Sequence, residues 1–279
     1  MKTILLCSDL DRTLIPNGAE AESSQARPLF ARLVSHPQLR LAYVSGRDQS
    51  LVKEAIAVYD LPEPDFVIGD VGTTLYFIHG NRWRMNKAWQ HEISRDWDGR
   101  GHDDIKELLS DLIGKEIELQ AEDKQNRYKV SFYTDPSVAH QKLKQKITDR
   151  LDKQQIATHI IWSRDDAAKR GLLDILPRKA NKLRAIQFLM KEKSFDRSDT
   201  VFAGDSGNDV DVLISGLQAI LVKNATDDVR EAALDRLSED GTGDRLYLAR
   251  GNFMGMNGNY AAGVLEGMVH FFPDVKNWF

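Results

Sequence analysis

The stretch Ile4-Leu5-Leu6-Cys7-Ser8-Asp9-Leu10-Asp11-Arg12-Thr13 decides the reading of this chain. Its apolar half is a short run of the kind that forms a strand buried on both faces. Side chains at i and i+2 of an extended chain share a side. Asp9 and Asp11 can therefore face one spot just past the strand's end, where ligands bind in an open parallel sheet. Two carboxylates held together repel unless a cation or a shared proton relieves them. The stretch predicts a metal-assisted acid–base or nucleophilic site. Asp-x-Asp after a strand also suits a plain turn, so its meaning depends on the rest of the chain.

Outward from this strand, strand and helix signals alternate. A helix over 25–35 leads to a strand over 39–44 that closes on Ser45-Gly46-Arg47. A second helix over 48–59, with Asp48 at its start, leads to a short strand at 66–68. This order predicts a parallel sheet with right-handed crossovers. From about Leu75 to Pro177 the pattern changes. Two strand pieces flank the turn His79-Gly80-Asn81, and helices follow over 103–113 and 136–152. Alternation over 128–133 puts Tyr128, Val130 and Phe132 on one face and Lys129, Ser131 and Tyr133 on the other, as in a half-buried antiparallel strand. Strands over 158–162 and 172–176 lead back to the parallel pattern. The middle therefore reads as an α+β module inserted into an α/β domain. The expected division is 1–79 with 178–279 for the core and 80–177 for the insert. Four of the chain's five tryptophans, Trp83, Trp89, Trp97 and Trp162, fall in that insert and are expected mainly in its own core.

After the insert, a helix over 179–191 precedes a strand over 200–203. That strand ends in Gly204-Asp205-Ser206-Gly207-Asn208-Asp209. Asp205 and Asp209 lie four apart, so a first helical turn puts them on one side. Acidic clusters at the ends of two parallel strands can converge above the sheet, and oxygen donors of this kind suit Mg2+. Ser45 and Gly46, between a strand and a helix, offer a hydroxyl and backbone N–H groups to phosphate oxygens. Lys182 adds a positive charge near a helix start. Strand Ala219–Val222, helices over 227–236 and 261–271, and a Gly/Asn-rich loop over 251–259 complete the chain. That loop reads either as a lid element or as a surface insertion.

The bulk composition narrows the class. At 279 residues with 42% hydrophobic and 29% charged, the chain has the make-up of a globular protein able to bury a full core. A formal net charge of -4 gives no electrostatic footprint for nucleic acid or anionic lipid. Cys7 is the single cysteine, so no disulfide within the chain and no cysteine-based zinc site is expected. With a strand starting almost at Met1, no signal peptide is expected. No apolar stretch is long enough for a membrane span. A cytoplasmic enzyme or binding protein is the expectation, with monomer as the default state.

Asp9-Leu10-Asp11-Arg12-Thr13, Val44-Ser45-Gly46-Arg47, Asn181-Lys182 and the Gly204–Asp209 stretch, in that order, resemble the four motifs of haloacid dehalogenase (HAD) superfamily phosphatases. The large α/β insert between the second and third motifs is similar to the cap of the subgroup acting on sugar phosphates. Ala42-Tyr43-Val44-Ser45-Gly46-Arg47, Lys129-x-Ser131, Asp174-Ile175-Leu176-Pro177 and Ala261-Ala262-Gly263-Val264-Leu265 resemble the sucrose-phosphatases in particular.

The resemblance implies a Rossmann-like HAD core with a cap, and a catalytic set of Asp9, Asp11, Ser45 and Lys182. It makes Asp9 the nucleophile and Asp11 the general acid and then base. Ser45 and Lys182 become the holders of the phosphoryl oxygens. It also implies Mg2+ at Asp9, the Asp11 main-chain carbonyl and Asp205, with Asp209 beside it. Sucrose 6-phosphate is the implied substrate. Phosphates of mannosylglycerate, glucosylglycerol or trehalose are the same-class alternatives, and a non-catalytic partner of a sugar-phosphate synthase is the different-class one. Gly46, Arg47, Lys129, Ser131, Ser163 and Arg164 are the candidate substrate contacts. Ser45 departs from the usual threonine, and Tyr133 stands where histidine is frequent.

Overall fold

The computed structural model describes residues 3–165, 168–240 and 243–279, apart from the side chains of 237–240. It separates into two compact units, Met1–Met85 with Lys182–Phe279, and Asn86–Asn181.

The first unit is built on eight strands: β1 (Ile4–Ser8), β2 (Leu39–Val44), β3 (Phe66–Gly69), β4 (Thr74–His79), β5 (Arg82–Met85) and, after the second unit, β10 (Thr200–Gly204), β11 (Gln218–Leu221) and β12 (Leu246–Leu248). Their order in the sheet is β12-β11-β10-β1-β2-β3-β4-β5. All neighbours from β12 to β3 are parallel, and β4 and β5 add an antiparallel hairpin at the edge. Every residue of β1 is buried, as expected for a strand covered on both faces.

Helices α1 (Ala26–Val34), α2 (Gln49–Tyr59), α6 (Lys182–Lys193), α7 (Val210–Leu213), α8 (Asp227–Asp240) and α9 (Ala261–Phe271) belong to this unit. Asp48 starts α2 by accepting a 2.8 Å hydrogen bond from Leu51 N. Helix α9 is buried along most of its length against β11 and α1. Its Gly267 lets the backbone approach Ile220 so closely that a Cβ would stand 2.4 Å from Ile220 Cγ1.

Two features differ from the sequence reading here. Arg82–Met85, assigned to the insert, pairs with β4 and extends the large sheet. Trp83 goes with it, tilted against Tyr76 at 5.8 Å between ring centroids. A hairpin continues the sheet that its first strand has joined, so the boundary falls after the second strand. Helix α6 starts at Lys182, not at Lys179. Upstream of it, Lys179 N donates to Asp96 Oδ2 at 2.6 Å and Ala180 N turns back to Pro177 O at 2.9 Å.

The Gly/Asn-rich loop is a packed brace. Asn257 and Asn259 side chains donate to Ala21 O, Gln25 donates to Met254 O, and Gly251 N donates to the buried carboxylate of Glu266 at 2.9 Å.

The second unit carries β6 (Glu118–Leu119), β7 (Val130–Thr134), β8 (Thr158–Asp165) and β9 (Arg170–Pro177) in the antiparallel order β6-β7-β9-β8. Helices α3 (Lys87–Ser94), α4 (His102–Leu108) and α5 (His140–Asp152) accompany it. The expected helix over 103–113 stops at Leu108, and the one over 136–152 begins only at His140. Val130 and Phe132 are fully buried. Trp89 and Trp97 sit in this core. Trp162 stacks on His140 and donates to Thr134 Oγ1 at 3.2 Å.

Among the described residues, no helix is long and apolar enough to cross a membrane.

Candidate active site

Strands β1 and β10 are neighbours, and from them the chain winds in opposite directions, through β2 and β3 on one side and β11 and β12 on the other. A crevice forms at such a switch point, beyond the carboxyl ends of the strands. Ser8 pairs with Ala203 of β10 and with Tyr43 of β2. The three segments that follow these strands, Asp9–Thr13, Ser45–Arg47 and Asp205–Asp209, therefore open at one edge of the sheet. Asp9 N donates to Ala203 O at 2.9 Å, which fixes the start of the first segment against β10.

Asp9, Asp205 and Asp209 are buried and each offers a carboxylate oxygen within 4.8 Å of the others. Lys182, 3% exposed at the start of α6, bridges two of them, at 3.2 Å from Asp9 Oδ1 and 2.7 Å from Asp209 Oδ1. Its ammonium also donates to Asn208 Oδ1 at 3.2 Å. The other oxygen of Asp209 accepts from Asp205 N, Ser206 N and Ser206 Oγ at 3.1–3.2 Å, closing the turn on itself. This packing explains Gly204, where a Cβ would lie 2.7 Å from the Asp209 carboxyl carbon. Asp205 is held by Thr13 Oγ1 and Arg12 Nε, each at 3.2 Å.

Burial dominates the electrostatics. Desolvation pushes Asp9 up to about 8; Asp209 and Asp205 add repulsion, and Lys182 pulls only part of the way back. Asp205 rises to about 6 for the same leading reason, with Asp209 beside it. Burial would lower Lys182, but Asp209 and Asp9 outweigh it and hold the ammonium firmly charged. The three carboxylates thus meet two cationic side chains, and the donors are all oxygen. That charge balance and chemistry fit a hard divalent cation.

Asp11 stands apart from the three. Its carboxylate forms a bidentate pair with Arg47, at 2.8 Å to Nε and 2.7 Å to Nη2, and accepts from Asn17 Nδ2 at 2.7 Å. Burial pushes its carboxyl up, but the Arg47 hydrogen bonds and charge win and hold it below the usual carboxylate range. Ser45 is fully buried, and its Oγ accepts from Arg47 N at 3.2 Å. Gly46 is exposed beside it.

The candidates of the second unit are differently placed. Lys129 is buried. Ser131 is fully enclosed, and its hydroxyl donates to Asp174 Oδ1 at 2.5 Å. Ser163 and Arg164, expected after a strand, lie inside β8 and are exposed, because β8 pairs with β9 as far as Asp165.

Sequence reasoning missed four polar partners: Arg12 and Thr13 on Asp205, Asn208 on Lys182, and Asn17 on Asp11. Asn224 also escaped it; its Nδ2 donates to Arg12 O at 2.6 Å and its Oδ1 accepts from Tyr260 N at 2.8 Å. The places of Arg12 and Thr13 directly after the Asp pair, and of Asn208 inside the Gly204–Asp209 stretch, carried a signal.

An eight-stranded sheet with this crevice, this acidic triplet and an inserted α+β unit defines a HAD-class hydrolase. The family model for sucrose-6F-phosphate phosphohydrolase matches residues 2–272. The chain belongs to that family of phosphoric monoester hydrolases.

A putative HAD-like hydrolase of Nitrosococcus oceani is 55% identical over 99% of this chain and 73% of its own length. A probable sucrose-phosphatase 2 of Arabidopsis thaliana is 30% identical over 81% of this chain. This chain spans only about half of that plant relative, 52% of its length. The solved sucrose-phosphatase of Synechocystis, in complex with sucrose and phosphate, superposes with a TM-score of 0.73 at 26% identity, covering 97% of this chain and 98% of that one.

Proposed function

We propose that this protein is a Mg2+-dependent phosphatase that hydrolyses sucrose 6-phosphate to sucrose and phosphate through an aspartyl-phosphate on Asp9. The carrying observation is the buried Lys182 bridging Asp9 and Asp209 beside Asp205 at the strand ends, in a chain of this family.

Asp9 Oδ attacks phosphorus in line with the sugar oxygen. Asp11 protonates that oxygen as it leaves. It then takes a proton from the water that attacks the phosphoryl group on Asp9. The bidentate contact with Arg47 has to open for Asp11 to carry a proton, and a phosphoryl dianion offers Arg47 an alternative partner. Ser45 Oγ and the Gly46 N–H would hold phosphoryl oxygens, and Lys182 would steady the charge moving onto them. Mg2+, held by Asp9, Asp205 and the Asp11 carbonyl with Asp209 in support, would neutralise phosphoryl charge when bound. Recognition of the sugar falls to the inserted unit, through Lys129, Ser163 and Arg164, with Ser131 positioning Asp174.

The test is a phosphate-release assay over sucrose 6-phosphate and the phosphates of trehalose, glucosylglycerol and mannosylglycerate, with MgCl2 or with chelator. The highest kcat/KM is expected for sucrose 6-phosphate with Mg2+. A higher value for another member reassigns the substrate. Asp9→Asn should abolish release with the fold retained by circular dichroism, and residual turnover above about 1% of wild type would refute the nucleophile.

A further inference from the structure

We infer that Arg12 is a built-in counter-ion of the acidic cluster and sets how tightly the site takes a divalent cation. The inference rests on the metal reading above. Arg12 has a left-handed backbone, φ 58°, where glycine is at ease and a long side chain costs conformational energy. The position nevertheless carries a guanidinium, and the structure shows where it goes. Its Nε donates to Asp205 Oδ2 at 3.2 Å, its Nη2 donates to Asn224 O at 3.1 Å, and Glu20 lies 3.6 Å away. The backbone is pinned as well, by Asn224 Nδ2 on Arg12 O at 2.6 Å and by Arg12 N on Asn17 Oδ1 at 2.9 Å. The charge is thus fixed in place.

Lys182 already serves Asp9 and Asp209, so Asp205 is the member of the triplet that relies on Arg12. A divalent ion entering the cluster must share Asp205 with the guanidinium and sit in its field. Arg12 therefore lowers cation affinity and keeps the ion exchangeable. Even at water-like screening, one unit charge a few ångströms from a dication changes its binding about tenfold. Thr13 keeps its hydrogen bond to Asp205 Oδ1 when Arg12 is removed, so the carboxylate stays oriented.

The experiment is calorimetric titration of chelator-stripped protein with MgCl2 at pH 8, for wild type, Arg12→Asn, Arg12→Lys and Asp205→Asn. Asparagine tolerates the left-handed backbone and removes the charge; Arg12→Gly serves the same purpose if that variant fails to fold. Arg12→Asn is expected to bind Mg2+ at least fivefold tighter than wild type, Arg12→Lys within about twofold of wild type, and Asp205→Asn far more weakly. Unchanged or weaker binding in Arg12→Asn with a normal wild-type isotherm overturns the counter-ion role alone. Absence of Mg2+ binding by wild type overturns the metal reading and this inference with it.

Discussion

Replacing Lys182 by methionine tests whether the ammonium is the internal counter-charge of the site. The methionine stem fills nearly the same volume, but Asp9 and Asp209 lose a partner at 3.2 and 2.7 Å in a pocket where Lys182 is 3% exposed. Removing one member of a buried ion pair costs about 3–5 kcal/mol, because the remaining charge has neither water nor a partner. For a domain of this size each kcal/mol is worth ~2–4 °C, so the melting temperature should fall by about 6–20 °C. The assay is differential scanning calorimetry in chelator at pH 8. Lowering the pH to 5 should shrink the loss, since a stranded carboxylate takes up a proton in preference to staying charged. Adding Asp209→Asn should recover part of it. A melting temperature within 1 °C of wild type at pH 8 would refute the reasoning.

In cation-free protein, stability should fall as pH rises from about 4 to about 8. Asp9 and Asp205 titrate near 8 and 6 in the folded chain against 3.8 ordinarily, so the folded state holds the extra protons through that window. Asp11, which Arg47 holds low, acts with the opposite sign and only at more acid pH. Urea midpoints at pH 5 and 8.5 in chelator check this, and a higher midpoint at 8.5 would contradict it. Gly267→Ala should cost about 1–3 kcal/mol, read as a lower urea midpoint with unchanged slope. The added Cβ would stand 2.4–2.7 Å from three carbons of Ile220.

Much of the sheet was legible because parallel strands buried on both faces are written as short apolar runs. Ile4–Ser8 and Thr200–Gly204 are such runs, and each ends at an acidic cluster; that they lie side by side is seen only in their hydrogen-bonded pairing. The edge was less legible. Arg82–Met85 alternates charged and apolar residues, as a strand of either unit would, and only its hydrogen bonds to β4 assign it. Likewise the two-residue strand Glu118–Leu119 is too short to leave a period.

By itself the sequence determined the fold class, the two acidic turns and the presence of Ser45 and Lys182 between them. These rest on local patterns: apolar runs, glycine turns and spacings within a few residues. Tertiary structure alone decided how the charges are shared. It gave Lys182 to Asp9 and Asp209, Arg12 to Asp205 and Arg47 to Asp11, pairs separated by 27 to 193 positions. Which cation meets which carboxylate depends on the register of β1, β2 and β10 and on burial. Neither quantity is written in the spacing of the motifs.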